Sequence, residues 1–330
     1  MSVRVVSYNI LVPKLAEKPG TYYKCDPRFL KTNYRWNLLQ SMLKNEIISH
    51  RNTIICLQEL SRTMLPKLKA FFLRMNYVLY SKPYGQYRND YLGIGIAIPA
   101  SMELIVVSFI DIGDEIRSQL RDKPLNIFTA VNQFWRDLVN HNEENTSDPW
   151  VVATTKHNIL VCLQVIVDGR PLCIGTYHMP MMVTMPDLMM IHASFVKDII
   201  LNLAAGNNVI LAGDFNTKPS DEYYRVITET GFVRGRLPKS RNYNISYRPN
   251  AEHVLRSAYK VKNGMEPYFT NFAATSYQPS FCATLDYIFF NGHLTVGDVL
   301  RLPNRPSGNS YPDATHPSDH LMIAATFHFY

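Results

Sequence analysis

The chain has 330 residues, a net charge of +7, and 46% apolar against 18% charged side chains. That composition excludes a disordered or low-complexity chain and supplies a substantial core. No apolar run reaches the length of a membrane span, and the positive charge favours a polyanionic partner, nucleic acid or a membrane surface.

The cysteines, Cys25, Cys56, Cys162, Cys173 and Cys282, are odd in number, scattered and without metal-ligand spacing. Cys56, Cys162 and Cys173 lie in apolar runs, which reads as buried free thiols in a reducing compartment. The first residues enter a strand pattern directly, with no basic-then-apolar leader. A soluble, intracellular, cytoplasmic protein is expected, and no protein partner is inferable.

Val3 to Ile10 reads as a strand with Asn9 at its end. Leu11 to Asp26 is a loop. Trp36, Leu39, Leu43 and Ile47 recur at helical spacing, which predicts a helix over Tyr34 to Ile48 with Asn33 as N-cap. Thr53 to Leu57 is a β-branched strand leading to Gln58 and Glu59. Met64 to Met75 is a second helix. Tyr77 to Ser81 and Gly93 to Ile98 are strands around an aromatic-rich loop, Tyr84 to Tyr91. Residues 101–150 carry little pattern beyond a helical stretch at Ile127 to Asn140 and a polar loop, His141 to Pro149.

Strands resume at Ile159 to Val167 and Leu172 to Tyr177, joined by a turn at Asp168-Gly169. Pro186 to Asn202 is an amphipathic helix. Val209 to Ala212 is a short apolar strand closed by Gly213. Tyr223 to Thr230 is a short helix, followed by a polar, basic loop running toward Asn250. Thr284 to Phe290 and Met322 to Phe327 complete the strands. Helices link some strands and hairpins link others. The expected fold class is therefore an α/β (α+β) sandwich of two packed mixed sheets flanked by helices. One domain over 1–330 is the simpler organisation, because the polar candidates run from residue 9 to residue 320.

Polar residues collect at strand ends. Asn9 follows VRVVSY, Glu59 follows TIICLQ, His178 follows LCIGTY, and Asp214 and Asn216 follow VILAG. Asp286 lies within ATLDYIFF, and Ser318-Asp319-His320 precede LMIAATF. On an extended chain Asp214 and Asn216 project to one side, where they can hold and deprotonate a water and fix a phosphoryl oxygen. Both are also ordinary turn residues. Asn9 equally suits a turn, and His178 a hydrogen-bonded core position. Asp286, flanked by apolar residues, needs a partner, and His320 is available for it. Glu59 suits a hard divalent cation, which takes oxygen ligands and needs few from protein.

SYNIL, LQEL, GTYHMP, GDFNTKPS, LDYIFF and PSDH occur in this order in the endonuclease/exonuclease/phosphatase superfamily, and the chain resembles it over nearly its whole length. The segments YYKCDPRFLKTNYRWNLLQSML and SAYKVKNGMEPYFTNF resemble the deadenylase, nocturnin, Angel and 2′-phosphodiesterase branch. The resemblance implies a DNase I-like fold and an Mg²⁺-dependent phosphodiesterase, with Mn²⁺ as a substitute. It implies metal binding by Glu59 and Asn9, with Asp319 as a further metal or water ligand. Asp214 then acts as base, Asn216 orients phosphate or water, His178 and His320 donate to phosphate oxygens, and Asp286 fixes His320.

Phe281 stands where the deadenylases carry a base-stacking aromatic, with a turn at Cys282-Ala283 bringing its ring to the phosphate. Tyr84, Tyr87, Arg88 and the stretch Arg234 to Arg248 are further RNA-binding candidates. Asn158 suits either a substrate-side role or a strand edge. MPMMVTMPD replaces the family's Pro-containing loop after the histidine, which leaves base preference open. The leading expectation is a 3′-exoribonuclease of poly(A)-deadenylase type acting on single-stranded RNA or oligoadenylate. The alternatives are a 2′,5′-oligoadenylate phosphodiesterase, an Angel-type RNA 2′,3′-cyclic phosphatase, a nocturnin-type nucleotide phosphatase, and a catalytically inactive RNA-binding module.

Overall fold

The computed structural model describes residues 1–85, 90, 92–122 and 148–330. Tyr87, Arg88 and the expected helix at Ile127 to Asn140 lie outside the described residues. Two six-stranded mixed sheets pack face to face. In spatial order the first holds Leu294–Val299, Ile323–Phe329, Ser2–Asn9, Thr53–Gln58, Gly93–Pro99 and Tyr77–Pro83. The second holds Arg256–Ser257, Asp286–Asn291, Asn208–Asp214, Arg170–His178, Ile159–Val167 and Glu103–Asp111.

Each sheet contains one parallel pair: Ser2–Asn9 beside Thr53–Gln58, and Arg170–His178 beside Asn208–Asp214. A parallel pair needs a crossover. Helix Thr32–Ser49 lies in the first crossover and helix Pro186–Ala204 in the second. The registers Asn9↔Gln58 and His178↔Asp214 bring the carboxyl ends of each pair level.

Side-chain parity then sets what each strand presents inward. Val3, Val5, Ile54 and Cys56 of the first sheet meet Ile174, Ile210, Ala212, Ile288 and Phe290 of the second in one buried cluster. Continuing each strand by steps of two leads from this apolar layer to Asn9, Gln58, His178, Asp214 and Asp286. The apolar sandwich thus ends in a polar layer at one end. Beneath it Gln58 Nε2 donates to Thr176 Oγ1 at 3.0 Å, a hydrogen bond between the sheets.

Several sequence-based boundaries change. The first long helix starts at Thr32, not after Asn33; Asn33 lies inside it and accepts from Lys67 Nζ at 2.9 Å. The Thr32 N–H is held instead by the Glu17 carboxylate at 2.6 Å. Helix Pro186–Ala204 is not amphipathic but buried on every side from Leu188 to Asp198. Its outer face is covered by the basic loop after Thr228. Lys197 Nζ reaches Asp198 Oδ1 at 2.6 Å and the His253 carbonyl at 3.2 Å, and Tyr247 OH donates to Asp198. In that loop Arg234 pairs with Glu252 and Arg236 with Glu222. Both pairs lie at the exposed surface. Among the described residues no helix is long and apolar enough to cross a membrane.

Candidate active site

Asp214 ends its strand at the centre of the polar layer and is buried. Its Oδ2 accepts from Asn9 Nδ2 at 3.0 Å and lies 3.5 Å from His178 Nε2 and 3.6 Å from His320 Nε2. Its Oδ1 accepts the Asn216 N–H at 2.9 Å. The strand stops at Asp214, and Asn216 stands in the left-handed region at φ 47°, so the two side chains do not project in parallel as an extended chain would have them. Asn216 Nδ2 instead donates to the Met179 carbonyl at 2.8 Å.

Glu59 also adopts a left-handed backbone, φ 61°, directly after its strand. For a residue with a Cβ this conformation costs about 1–2 kcal/mol. It turns the carboxylate so that Oε1 accepts from Asn9 Nδ2 at 3.0 Å and Oε2 from the Val12 N–H at 2.7 Å. Asn9 Nδ2 therefore bridges Glu59 and Asp214. The Asn9 carbonyl accepts from Ser318 Oγ at 2.7 Å, tying in the segment that carries His320.

Asp286 pairs opposite Asp214 across the sheet, and His320 Nδ1 lies 2.8 Å from Asp286 Oδ2. Thr270 Oγ1 donates to the same oxygen at 2.6 Å. Burial raises the Asp286 carboxyl above its ordinary value, and the imidazole beside it works against that rise. For His320 burial opposes the charged ring, but the Asp286 and Asp214 carboxylates overcome it and hold the imidazole well above its ordinary value. The two carboxylates thus favour the charged form of His320, and Asp286 orients its ring.

His178 is supported differently. Tyr84 OH lies 3.1 Å from its Nδ1, and Asn158 Nδ2 donates to its carbonyl at 2.7 Å. Burial, with the Glu59 and Asp214 carboxylates adding to it, raises the Tyr84 hydroxyl well above its ordinary value. It stays a neutral phenol within hydrogen-bond reach of His178 Nδ1, while His178 Nε2 faces Asp214. Tyr84 is therefore not a free stacking platform, and Asn158 holds the histidine's backbone.

Asp319 Oδ2 accepts from Tyr22 OH at 2.9 Å. Phe281 is half-buried and begins the short strand Phe281–Ala283, paired with Asn271–Ala273. No turn at Cys282-Ala283 swings its ring; Lys218 Nζ lies 5.8 Å from the ring centre.

Sequence reasoning missed Thr270, Tyr22 and Arg35. Buried Arg35 donates through Nε to the Pro317 carbonyl and through Nη2 to those of Ile10 and Leu11, each at 2.5 Å, fastening the loops that follow Asn9 and precede His320. Its signal was a charged residue on the apolar side of a helix, between Tyr34 and Trp36.

Asp214, Asp286 and His320 bring ligand atoms within 4.8 Å of one another. With both carboxylates favouring the charged form of His320, this trio suits anion contact and proton transfer. Glu59 presents a half-buried carboxylate at the mouth of the layer, with the Asn9 side chain 3.0 Å from it. An oxygen-rich set of this kind fits a hard divalent cation that keeps most of its water.

The chain is similar to several known proteins. The rat 2',5'-phosphodiesterase 12 is 25% identical over 346 residues, covering 97% of this chain and 51% of its own. Nocturnin of Xenopus laevis is 25% identical over 331 residues, covering 99% of this chain and 72% of its own. The chain spans about half the length of the 2',5'-phosphodiesterases it matches. Among solved structures, ANGEL2, a 2',3'-cyclic phosphatase, superposes with a TM-score of 0.71 at 18% identity, covering 99% of this chain and 95% of that one. The human nocturnin catalytic domain gives 0.60 at 20% identity, covering 100% and 95%. The match that spans both strand-end clusters, from residue 6 to residue 320, is to the Endonuclease/Exonuclease/phosphatase family, and this chain belongs to it.

Proposed function

We propose that this chain is a divalent-cation-dependent phosphoric-ester hydrolase acting on single-stranded RNA, removing adenylate nucleotides from the 3′ end, with residues 1–330 acting as one catalytic unit. The observation that carries the reading is the buried Asp214 carboxylate held between two imidazoles, one of them paired with a second buried carboxylate. That arrangement suits attack of water on a phosphodiester. Asp214 takes the proton of the water, a role worth about 10²–10⁴ in rate. His320 and His178 donate from Nε2 to the non-bridging oxygens, where charge sits in the transition state. Asn216 and Asn9 fix Asp214 between them.

Glu59, with Asn9 beside it and Asp319 further out, would hold the cation. Mg²⁺ bound there would neutralise phosphate charge and polarise the phosphorus–oxygen bond, and Mn²⁺ would substitute.

A second reading, hydrolysis of 2′,5′-linked oligoadenylate, is favoured by the names of the relatives that match across 97% of this chain. The test is product analysis on 3′–5′ oligoadenylate, 2′–5′ oligoadenylate, RNA with a 2′,3′-cyclic end, and NADPH, each with Mg²⁺ and with EDTA. Mononucleotide release from the first substrate, stopped by EDTA, is the expected result. Preference for the second substrate establishes the second reading. Turnover of only the third or fourth overturns both.

A further inference from the structure

Aromatic and basic side chains continue outward from Phe281 on one surface. Lys218, just past Asn216, is the cation over the Phe281 ring. Next along the chain, the Pro279 carbonyl accepts from Tyr23 OH at 3.3 Å and from Lys24 Nζ at 3.4 Å. Beyond it, Lys18 Nζ lies 2.6 Å from Tyr277 OH. The Ser276 N–H donates to the Thr21 carbonyl at 2.9 Å, so the 18–24 and 275–281 loops are fastened together.

Tyr23 is 51% exposed and Tyr277 70% exposed. A lysine neighbours each ring: Lys24 lies 5.6 Å from the centre of Tyr23, and Lys18, at the hydroxyl edge of Tyr277, 5.3 Å from its centre, which leaves the Tyr277 faces uncovered by Lys18. Single exposed aromatics need no explanation; grouped rings, each beside a cation, are the composition of a single-strand nucleic-acid surface. The group is continuous with the site, because Tyr22 beneath it donates to Asp319, the neighbour of His320.

We infer that these two loops form a track for the body of a single-stranded RNA, with nucleobases stacking on Tyr23 and Tyr277 and phosphates meeting Lys18 and Lys24. This rests on the RNA-hydrolase reading above and extends it from the scissile nucleotide to the strand behind it. A flat aromatic face accepts any base, so the track sets substrate length and not sequence.

Binding is measured by anisotropy of a labelled twelve-nucleotide oligoadenylate in EDTA, where turnover does not enter. The double variant Tyr23→Ala/Tyr277→Ala should bind it about 10–100-fold more weakly. Its kcat/KM on an adenylate dinucleotide in Mg²⁺ should stay close to wild type, with an unchanged melting temperature. Tyr277→Phe keeps the ring, loses the bond to Lys18, and should bind as wild type does. Unchanged affinity in the double variant, an equal loss in Tyr277→Phe, or an equal fall on the dinucleotide overturns the track. A wild type that binds the oligomer but cuts nothing removes the hydrolase reading and leaves the track. A wild type that cuts the dinucleotide and gains no affinity from added nucleotides removes the track and leaves the hydrolase.

Discussion

The two histidines beside Asp214 are held by partners of different charge, a carboxylate for His320 and a phenol for His178. Tyr84→Phe should leave KM unchanged and lower kcat by about tenfold, a fraction of the roughly 10²–10⁴ a positioned proton-transfer group supplies. Steady-state kinetics on one oligonucleotide checks this, and a raised KM with unchanged kcat would return Tyr84 to substrate contact. His320 carries a pH prediction. Its folded value is raised, so its stabilisation is complete below the ordinary 6.5 and is lost as pH rises through the folded value. Melting temperatures should therefore fall between pH 7 and pH 10 more steeply in wild type than in His320→Gln. Parallel curves would remove this charge from the account.

At the scale of elements, the close approach of neighbouring strands limits substitution. A Cβ on Gly213 would overlap the Tyr177 carbonyl oxygen on the parallel neighbour strand. Gly213→Ala should destabilise the fold at or above the upper end of the roughly 1–3 kcal/mol range for overpacking. Denaturant unfolding measures this, and a loss under half a kilocalorie per mole would show that the strands yield.

The strands that bear the site were legible because their apolar periods are clean and each ends in a polar residue. The strand Leu294–Val299 was not read, because a bulge between Val296 and Asp298 breaks its alternation. Glu103–Asp111 was hidden likewise by a register shift between Leu104 and Val106, and by its exposed position at the sheet edge. The Asn271–Ala273 and Phe281–Ala283 ribbon is too short for any period to show. Thr270 and Tyr22 touch the site across long sequence separations, and no local pattern marks such contacts.

Over the whole molecule, two parallel strand pairs with level carboxyl ends convert scattered strand-end residues into one layer. Asn9, Glu59, His178, Asp214, Asp286 and His320 were picked out as single residues, and the fold brings them together. Arg234 and Arg236 each pair with a carboxylate at the exposed surface of the loop. The net charge of +7 still predicts salt-sensitive RNA binding, with log affinity falling by about 0.7 per phosphate contacted for each unit of log salt. A flat salt titration would point to a small recessed substrate. The most direct test of the central claim is mononucleotide release from single-stranded oligoadenylate by wild type and Asp214→Asn, each in Mg²⁺ and in EDTA. The account predicts release by wild type in Mg²⁺ alone, with the variant lower by at least about 10². Full turnover in EDTA, or by the variant, would contradict it.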